Sequence, residues 1–290
     1  MERTRREEVE KLSSEFKLSK NRIIKALGVA KSSVYYKSRK YPDRKSSNRK
    51  ELPLRVKRLI QVIAKRKSTY GVPRIRAILK RDHGFETSKH MVFRFMDKKN
   101  LLIKRNRTRG PSRKHEGKIS VDKINTRWAS DITSIKCWNG EKIRVAVILD
   151  CCDRSVISWL AAKHIQACDI EQMVQSALTK RFGEFLPPKG QLQFLTDNGP
   201  EFIEKELNRN LKNWNIESCY TPTYSPQSNG MVEAFNGTFK RDYVYESCLD
   251  NAEVVHSQIS KWISEYNNYA PHSALEMKTP TEYFILKSAA

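Results

Sequence analysis

An α/β protein with a mixed sheet, preceded by all-α basic units, is the fold class that the sequence predicts. The first observation is a change of texture after residue 122, where short helical patterns give way to β-rich runs. The second is that three such runs follow one another, and the third is that helices and strands alternate after them. This order favours an antiparallel meander followed by parallel crossovers.

The basic charge of the chain is concentrated in its first part. At 290 residues the chain can bury a sizeable core and is expected to hold two or three domains. Residues 1–120 contain 37 Lys and Arg against 11 Asp and Glu, whereas residues 121–290 contain 18 against 21. Clustered cations displace the counterions condensed on phosphates, so the first part is predicted to bind nucleic acid. A solubilising surface or a ribosomal-type protein is the alternative.

The basic region 1–50 has the pattern of a helix-turn-helix. Ile23, Ile24 and Leu27 lie on one helical face, and Gly28 ends the run. The following stretch, AKSSVYYKSRK, is predicted to form a second helix that can enter a major groove. Its candidate DNA contacts are Lys31, Lys37 and Arg39.

A second helix-turn-helix-like domain is predicted over residues 51–105. Pro73 suits a first helical turn, DHGFE forms a turn, and Thr87 or Ser88 can cap the next helix. The predicted apolar faces consist of Ile75, Ile78 and Leu79 on one helix and Met91, Val92, Phe95 and Met96 on the other. Lys89 and Arg94 are the candidate DNA contacts. An apolar hairpin that only builds core is the alternative for each unit, but two units in tandem within a basic segment favour DNA.

Residues 106–122 lack periodicity and are predicted to be a basic linker, and an α/β core with a C-terminal helical tail is predicted to occupy residues 123–290. Its first three strands are predicted in RWASDITSIKCW, EKIRVAVILDCCDR and SVISWLAAKHI, with turns at Asn139–Gly140 and Asp153–Arg154. A helix, a strand, a helix and a strand follow in DIEQMVQSALTKRFG, QLQFLTD, EKELNRNLKNWN and ESCY. A last helix is predicted after SPQSNG. These runs predict a sheet of five strands.

Cysteine spacing and hydropathy exclude several classes of protein. No two of the six cysteines have C-x-x-C spacing, so the sequence predicts buried thiols in a reducing compartment rather than a zinc site or a disulfide framework. The histidines are scattered as well. The N-terminus is charged, and no apolar run approaches the ~20 residues that a membrane span needs. We expect a soluble, intracellular protein.

Three carboxylates are placed where a strand, a strand end and a helix can converge. Asp131 lies within the first predicted strand, Asp197 ends the fourth, and Glu233 lies on the last helix, which follows SPQSNG. Carboxylates brought together repel one another, and Mg²⁺ or Mn²⁺ relieves this repulsion because hard cations take oxygen ligands. Two such ions can activate a nucleophilic oxygen and stabilise a leaving oxygen. Asp150 is a rival ligand because it also ends an apolar strand, and solvated turn or cap residues are the structural alternative for each acid.

Five segments together resemble a known family. They are WASDIT, RVAVILDCCDR, FLTDNGPEF, SPQSNGMVEAFNGTFKRDY and YNNYAPHSALEMKTPTEYF. In this order they resemble the DDE transposase and retroviral-integrase superfamily, with its ribonuclease-H-like fold. Within it they resemble the OrfB-type catalytic subunit of a bacterial insertion-sequence family. The resemblance covers residues 60–284 and includes the familiar gap of 35 residues between Asp197 and Glu233.

The resemblance implies roles for particular residues. Asp131, Asp197 and Glu233 match the metal-binding catalytic triad, which implies two Mg²⁺ ions in each active site with Mn²⁺ as a substitute. Lys240 matches a basic residue that contacts DNA near the reacting end. At about 100° per helical residue, Lys240 lies on nearly the same face as Glu233, with Asn236 and Gly237 between them. Asn236 and the more sideways Arg241 are the other candidate contacts on this helix, and His272 is expected to be structural or a distant DNA contact.

The implied function is DNA transposition. The resemblance implies metal-dependent strand cleavage and strand transfer at the terminal inverted repeats of an insertion sequence, with double-stranded DNA of the element and the target as partners. It also implies a homo-oligomer, at least a dimer on DNA, and an upstream-frame OrfA partner, since the chain contains no leucine heptads. A non-catalytic OrfB product that regulates a fusion transposase is the main alternative. A simple ribonuclease-H-like nuclease would leave two helix-turn-helix units without a purpose.

Overall fold

The structure, a computed structural model, describes residues 5–35, 51–103, 121–183, 192–221 and 230–289. The chain divides into two compact units, Met1–Glu51 and Leu52–Ala290. Within the described ranges, no helix combines the length and the apolar character that crossing a membrane requires. The domain boundaries predicted inside the second unit stay a prediction.

The first unit contains three described helices rather than the two that the sequence pattern predicts. They are α1 (Arg5–Glu15), α2 (Lys20–Ala26) and α3 (Lys31–Tyr35). Their small core consists of Val9, Ile23, Ile24 and Val34. Leu27 does not join this face as predicted, because it caps α2 and is 47% exposed just before Gly28 turns the chain with a φ of +61°. Lys31 is exposed at the start of α3, whereas Lys37 and Arg39 lie outside the described residues.

The second unit begins with three helices, α4 (Leu54–Arg66), α5 (Val72–His83) and α6 (Lys89–Lys98). The prediction missed α4, although its buried residues recur at helical spacing. Gly84 ends α5 in the left-handed conformation that glycine adopts most easily. Ser88 occupies the N-cap of α6 but makes no capping hydrogen bond there with its side chain. The predicted core face of α6 is confirmed by fully buried Val92 and Met96, with Met91 and Phe95 half-buried.

A five-stranded mixed sheet follows, as predicted. Its strands are β1 (Arg127–Lys136), β2 (Lys142–Asp150), β3 (Val156–Ala162), β4 (Leu192–Thr196) and β5 (Ile216–Tyr220). The order across the sheet is β3-β2-β1-β4-β5, with β1, β2 and β3 antiparallel and β4 and β5 parallel to β1. The two predicted turns are present, since Gly140 has a φ of +88° and Arg154 a φ of +61°.

Helices cover both faces of the sheet, which explains why β2 is almost continuously apolar. On one face, Ala146 and Ile148 pack in the cluster that includes residues of α7 (Ala167–Phe182), α8 (Pro200–Ile203) and α9 (Lys205–Asn213). On the other face, Val145 and Val147 pack with α10 (Gly230–Asp242) and α11 (Ala252–Asn268). Helix α12 (Pro280–Ser288) follows. Cysteines 137, 151 and 152 are buried, but Cys168 and Cys248 are exposed, so the prediction of buried thiols is wrong for these two.

Helix α10 is anchored by an aromatic cluster on its sheet-facing side. Val232, Phe235 and Phe239 recur at helical spacing and are buried. The Phe239 ring centroid lies 5.4 Å from that of Phe235 and 5.8 Å from that of Trp262 on α11. Aromatic pairs at such distances add to the stability that area burial provides. This packing fixes the orientation of α10 on the sheet.

Phe239→Ala should lower the free energy of unfolding by about 3–5 kcal/mol, because it removes a fully buried ring and leaves a cavity. Urea unfolding of the full chain measures the change. Phe93→Ala on α6 is the matched control: its ring is 45% exposed, and its loss should cost about 1 kcal/mol or less. Equal costs for the two variants would contradict the anchoring role of Phe239.

Candidate active site

The strand register brings two of the predicted acids side by side. β1 and β4 are parallel neighbours, and Ala129 pairs with Leu195. Two residues beyond each member of this pair come Asp131, still within β1, and Asp197, one residue past the end of β4, so the register puts the two acids on adjacent chain segments. Adjacent strands are about 4.8 Å apart. The register therefore explains how acids 66 positions apart in the sequence become neighbours.

Helix α10 carries the third acid, Glu233, and forms a hydrogen bond to the first, Asp131. Glu233 is exposed in the first turn of α10. One turn later, the Asn236 side-chain amide donates to Oδ2 of Asp131 at 2.8 Å. This bond ties the helix that carries Glu233 to the strand that carries Asp131.

The charges of the three acids act on one another. Burial raises the pKa of Asp131 above its ordinary value, and the negative charges of Asp197 and Glu233 raise it further. Hydrogen bonds oppose the rise: the Ile132 N–H donates to Oδ1 at 2.8 Å, and Asn236 donates to Oδ2. Asp131 is therefore the half-buried centre of a negative site.

The turn that carries Asp197 is closely packed. The Gly199 N–H donates to Oδ1 of Asp197 at 3.0 Å, and the Asn198 side chain donates to the Thr221 carbonyl at 2.9 Å. A Cβ at Gly199 would lie only 3.0 Å from Oδ1 of Asp197. One turn further, Glu201 pairs with Arg144 of β2 at 2.6 Å, which holds this turn against the sheet. Asn198 and Gly199 therefore hold the turn that carries Asp197.

The donor chemistry of this site fits a hard divalent cation, although the carboxylates are not gathered around one point. Across the described residues, no group of three His, Cys, Asp or Glu side chains is compact enough to hold a metal ion as it stands. Three carboxylates on two neighbouring strands and an adjoining helix offer the oxygen ligands that Mg²⁺ and Mn²⁺ prefer.

Comparison with known proteins adds family membership to this geometry. A model described as integrase core domain matches residues 122–226, a second model of that description matches 215–280, and an HTH-like domain model matches 51–109. A protein of insertion element IS136 of Agrobacterium fabrum is 39% identical over 190 residues, covering 65% of this chain and 97% of that protein. The transposase InsD of an Escherichia coli IS2 element is 33% identical over 221 residues, covering 74% of this chain and 73% of InsD. The chain belongs to the insertion-sequence transposases of the DDE superfamily.

A solved structure confirms the fold class of this transposase-family chain. A chain of the simian T-cell lymphotropic virus intasome, determined in complex with PP2A regulatory subunit B56 gamma, aligns with a TM-score of 0.50 at 22% identity. The alignment covers 72% of this chain and 73% of that chain. At this identity the likeness is one of fold, and it agrees with the ribonuclease-H-like core predicted from the sequence.

Asp150, the alternative metal ligand in the sequence prediction, is surrounded by backbone hydrogen-bond donors. It is fully buried and accepts N–H groups from Asn125 at 2.7 Å and from Cys152 at 2.7 Å. Burial raises its pKa to about 6, and the charge of Asp153 adds to the rise. Since both of its carboxylate oxygens accept backbone N–H groups, Asp150 stabilises the chain around the turn between β2 and β3.

The candidate DNA contacts have different environments. Lys89 and Arg94 are exposed on α6, and Lys240 is half-buried on the same side of α10 as Asn236. Asn236, whose DNA contact stays a prediction, donates to Asp131. Arg241, also predicted to contact DNA, donates from Nε to Asp242 at 2.6 Å. Sequence analysis missed the Asn236–Asp131 bond, although the spacing of one helical turn from Glu233 was a signal for it.

His272 lies in the core, as expected for a structural histidine. It is buried edge-on against Tyr266, with ring centroids 4.6 Å apart. Burial, together with the positive charge of Arg74, lowers the pKa of His272 to about 4. The imidazole is therefore neutral at physiological pH.

Asp197→Asn should lower the pKa of Asp131, because it removes one of the two negative charges that raise it. Carboxyl-selective NMR titration in buffer with a metal chelator measures this pKa. Glu217→Gln on β5 removes a carboxylate that is not among the causes of the shift, so it should leave the titration of Asp131 unchanged. An Asp131 pKa that does not respond to Asp197→Asn would mean that the two side chains do not form one site.

Proposed function

We propose that the chain is a transposase that cleaves DNA strands at the ends of its element and transfers them with the help of divalent metal. The observation that carries this proposal is that strand register makes Asp131 and Asp197 neighbours, while the Asn236–Asp131 hydrogen bond ties the helix that carries Glu233 to the first of them. Membership of the transposase family supports it. The negative charges of Asp197 and Glu233 both raise the pKa of Asp131, which supports a common site.

Asp131, Asp197 and Glu233 are the residues that would hold Mg²⁺, with Mn²⁺ as a substitute and two ions in each site. Bound there, such ions supply charge stabilisation to the attacking and leaving oxygens of an in-line phosphoryl transfer. The chain itself positions the ligands. Asn236 orients one oxygen of Asp131, while the Gly199 N–H orients one oxygen of Asp197.

Two successive phosphoryl transfers make up the proposed reaction. In the first, water attacks a phosphodiester at the element end, the bond from phosphorus to the 3′ oxygen breaks, and a 3′-hydroxyl and a 5′-phosphate result. In the second, the freed 3′-hydroxyl attacks another phosphodiester, and the displaced strand leaves with its own hydroxyl. Lys240 would hold a phosphate of the DNA backbone beside the acids, and the small Gly237 lets the backbone approach.

Double-stranded DNA is the proposed partner, comprising the terminal inverted repeats and the target. The HTH-like match over 51–109 and the excess of basic residues before residue 121 support DNA binding by the first part of the chain. Coordinated work on two ends supports an oligomer of at least two copies, and an upstream-frame OrfA protein would be a further partner. The proposed location is the cytoplasm, at the nucleoid.

Asp131→Asn, Asp197→Asn and Glu233→Gln should each abolish cleavage and strand transfer while leaving DNA binding largely intact, because each removes a metal ligand. A labelled duplex of the element end reports both products on a sequencing gel. Mg²⁺ or Mn²⁺ should support the reaction, and Ca²⁺ should support binding with little turnover. Glu253→Gln, at an exposed position of α11, is the control that should stay active.

Full activity of any triad variant would remove that residue from the proposal. Binding by the unaltered chain without cleavage in either Mg²⁺ or Mn²⁺ would favour the non-catalytic regulator.

Lys240→Ala should lower the salt slope of binding to the element end by about one unit and slow strand transfer, because one cation near the acids is lost. The slope of log affinity against log salt measures the first effect. Lys205→Ala, at an exposed position at the start of α9, should change neither quantity. An unchanged slope and unchanged transfer in Lys240→Ala would return this lysine to the solvated surface.

A further inference from the structure

The helices α4, α5 and α6 belong to the same compact unit as the catalytic sheet. Their contact with it is formed by the end of α4, the loop after it and α5 on one side. On the other side lie the ends of α10 and α11 and residues 269–270. This contact is built from charged and aromatic groups whose partners lie far apart in the sequence.

Two ion pairs form the centre of the contact. Arg74 of α5 pairs with Asp242 at the end of α10, with Nη1 2.5 Å from Oδ2. Lys67, just after α4, pairs with Glu265 of α11. The side chain of Asp242 is only 2% exposed and that of Lys67 only 11%, so water screens these pairs poorly. We call these four residues the joint.

The joint keeps its acids ionised despite burial. Burial would raise the pKa of Asp242, but hydrogen bonds from Arg241 and the charge of Arg74 outweigh it and hold the pKa below its ordinary value. The pKa of Glu265 is held low in the same way, with burial opposed by hydrogen bonds from Lys67 and Arg66. Each acid therefore has a second cation besides its partner in the joint.

Aromatic rings close the contact around the ion pairs. Arg74 lies over the ring of Tyr70 at 4.9 Å, and Lys67 lies over the ring of Tyr243 at 4.7 Å. The ring of Tyr269 has Arg66 at 5.2 Å and Arg81 at 5.1 Å. Ala270 and Tyr269 also pack in the apolar core of the helices α4, α5 and α6. Separating the two sides of this contact is costly, because it would break poorly screened ion pairs and the ring contacts around them.

One helix connects the joint to the acids. Asp242 ends α10, and Glu233 lies in its first turn, nine residues or about 14 Å away along the axis. Between them, Asn236 is bonded to Asp131. Because α10 is short and well packed, we expect a shift of its C-terminal end at Asp242 to move its N-terminal end at Glu233 as well.

We infer that Arg74 and Lys67 are positioning residues that fix the distance between the recognised DNA sequence and the phosphodiester that is cut. The inference rests on the proposed function. Helix α6, with exposed Lys89 and Arg94, packs on α5 and so moves with Arg74. DNA held by α6 would therefore meet the acids at one register, set by the joint rather than by contacts at the cut itself.

The test is the position of the cut at nucleotide resolution. The full chain acts in Mg²⁺ on an end-labelled duplex that spans the end of the genetic element encoding it. The unaltered chain should cut at one phosphodiester. The double variant Lys67→Met with Arg74→Met should spread the cuts over neighbouring phosphodiesters, because the helices then shift against the core. Both acids keep a cation in this variant, Arg241 for Asp242 and Arg66 for Glu265.

Arg74→Lys, which keeps the charge, should keep a single position when Lys67 is unaltered. Lys163→Met, which breaks the exposed pair with Glu141 elsewhere in the core, should also keep it. General loss of stability lowers the yield of product but does not move the cut. Circular dichroism checks the fold of each variant, and if the double variant does not fold, the single Arg74→Met variant takes its place.

An unchanged single position in the folded joint variant would overturn the inference and leave the proposed function intact. Complete loss of product by a folded joint variant would also overturn it, since the pairs would then serve the chemistry rather than the register. Absence of cleavage by the unaltered chain would overturn the proposed function, and this inference with it.

Discussion

The packing of helix α10 against strand β1 is the interaction on which the rest of the candidate site depends. Val232, Phe235 and Phe239 hold the helix on the sheet through apolar contacts, and the Asn236–Asp131 hydrogen bond sets its polar face. Without this packing, Glu233 would have no fixed relation to the two acids of the sheet. Three like charges can be kept near one another only because buried contacts elsewhere on the same elements outweigh their repulsion.

The sequence predicted the sheet well because its strands carry local signals. Period-two and continuous apolar runs mark β1 and β2, and the turn at Asn139–Gly140 carries a glycine, which accepts positive φ. The three candidate acids were predicted from their motifs, and strand register supplies the reason why Asp131 and Asp197 are neighbours. Helices α1 and α4 were missed although they are local elements. In α4 the apolar stripe was present but lay among many cations.

Long-range contacts could not be predicted, because nothing local marks them. Arg74 and Asp242 are separated by 168 positions, and Lys67 and Glu265 by 198. Counting charge correctly placed the cations in the first part of the chain, but Arg66, Lys67, Arg74 and Arg81 face the core and its acids. A basic segment in this protein therefore has two uses. Some of its cations bind the rest of the chain, and others, such as those on α6, are exposed.

The location of a bound metal ion tests the account most directly. Crystals of the full chain grown with Mn²⁺ would show its position by anomalous scattering. The account predicts a peak between the carboxylates of Asp131, Asp197 and Glu233, with Asn236 still bonded to Asp131. A peak at Asp150 and Asp153 instead, with the three acids of the site free of metal, would contradict it.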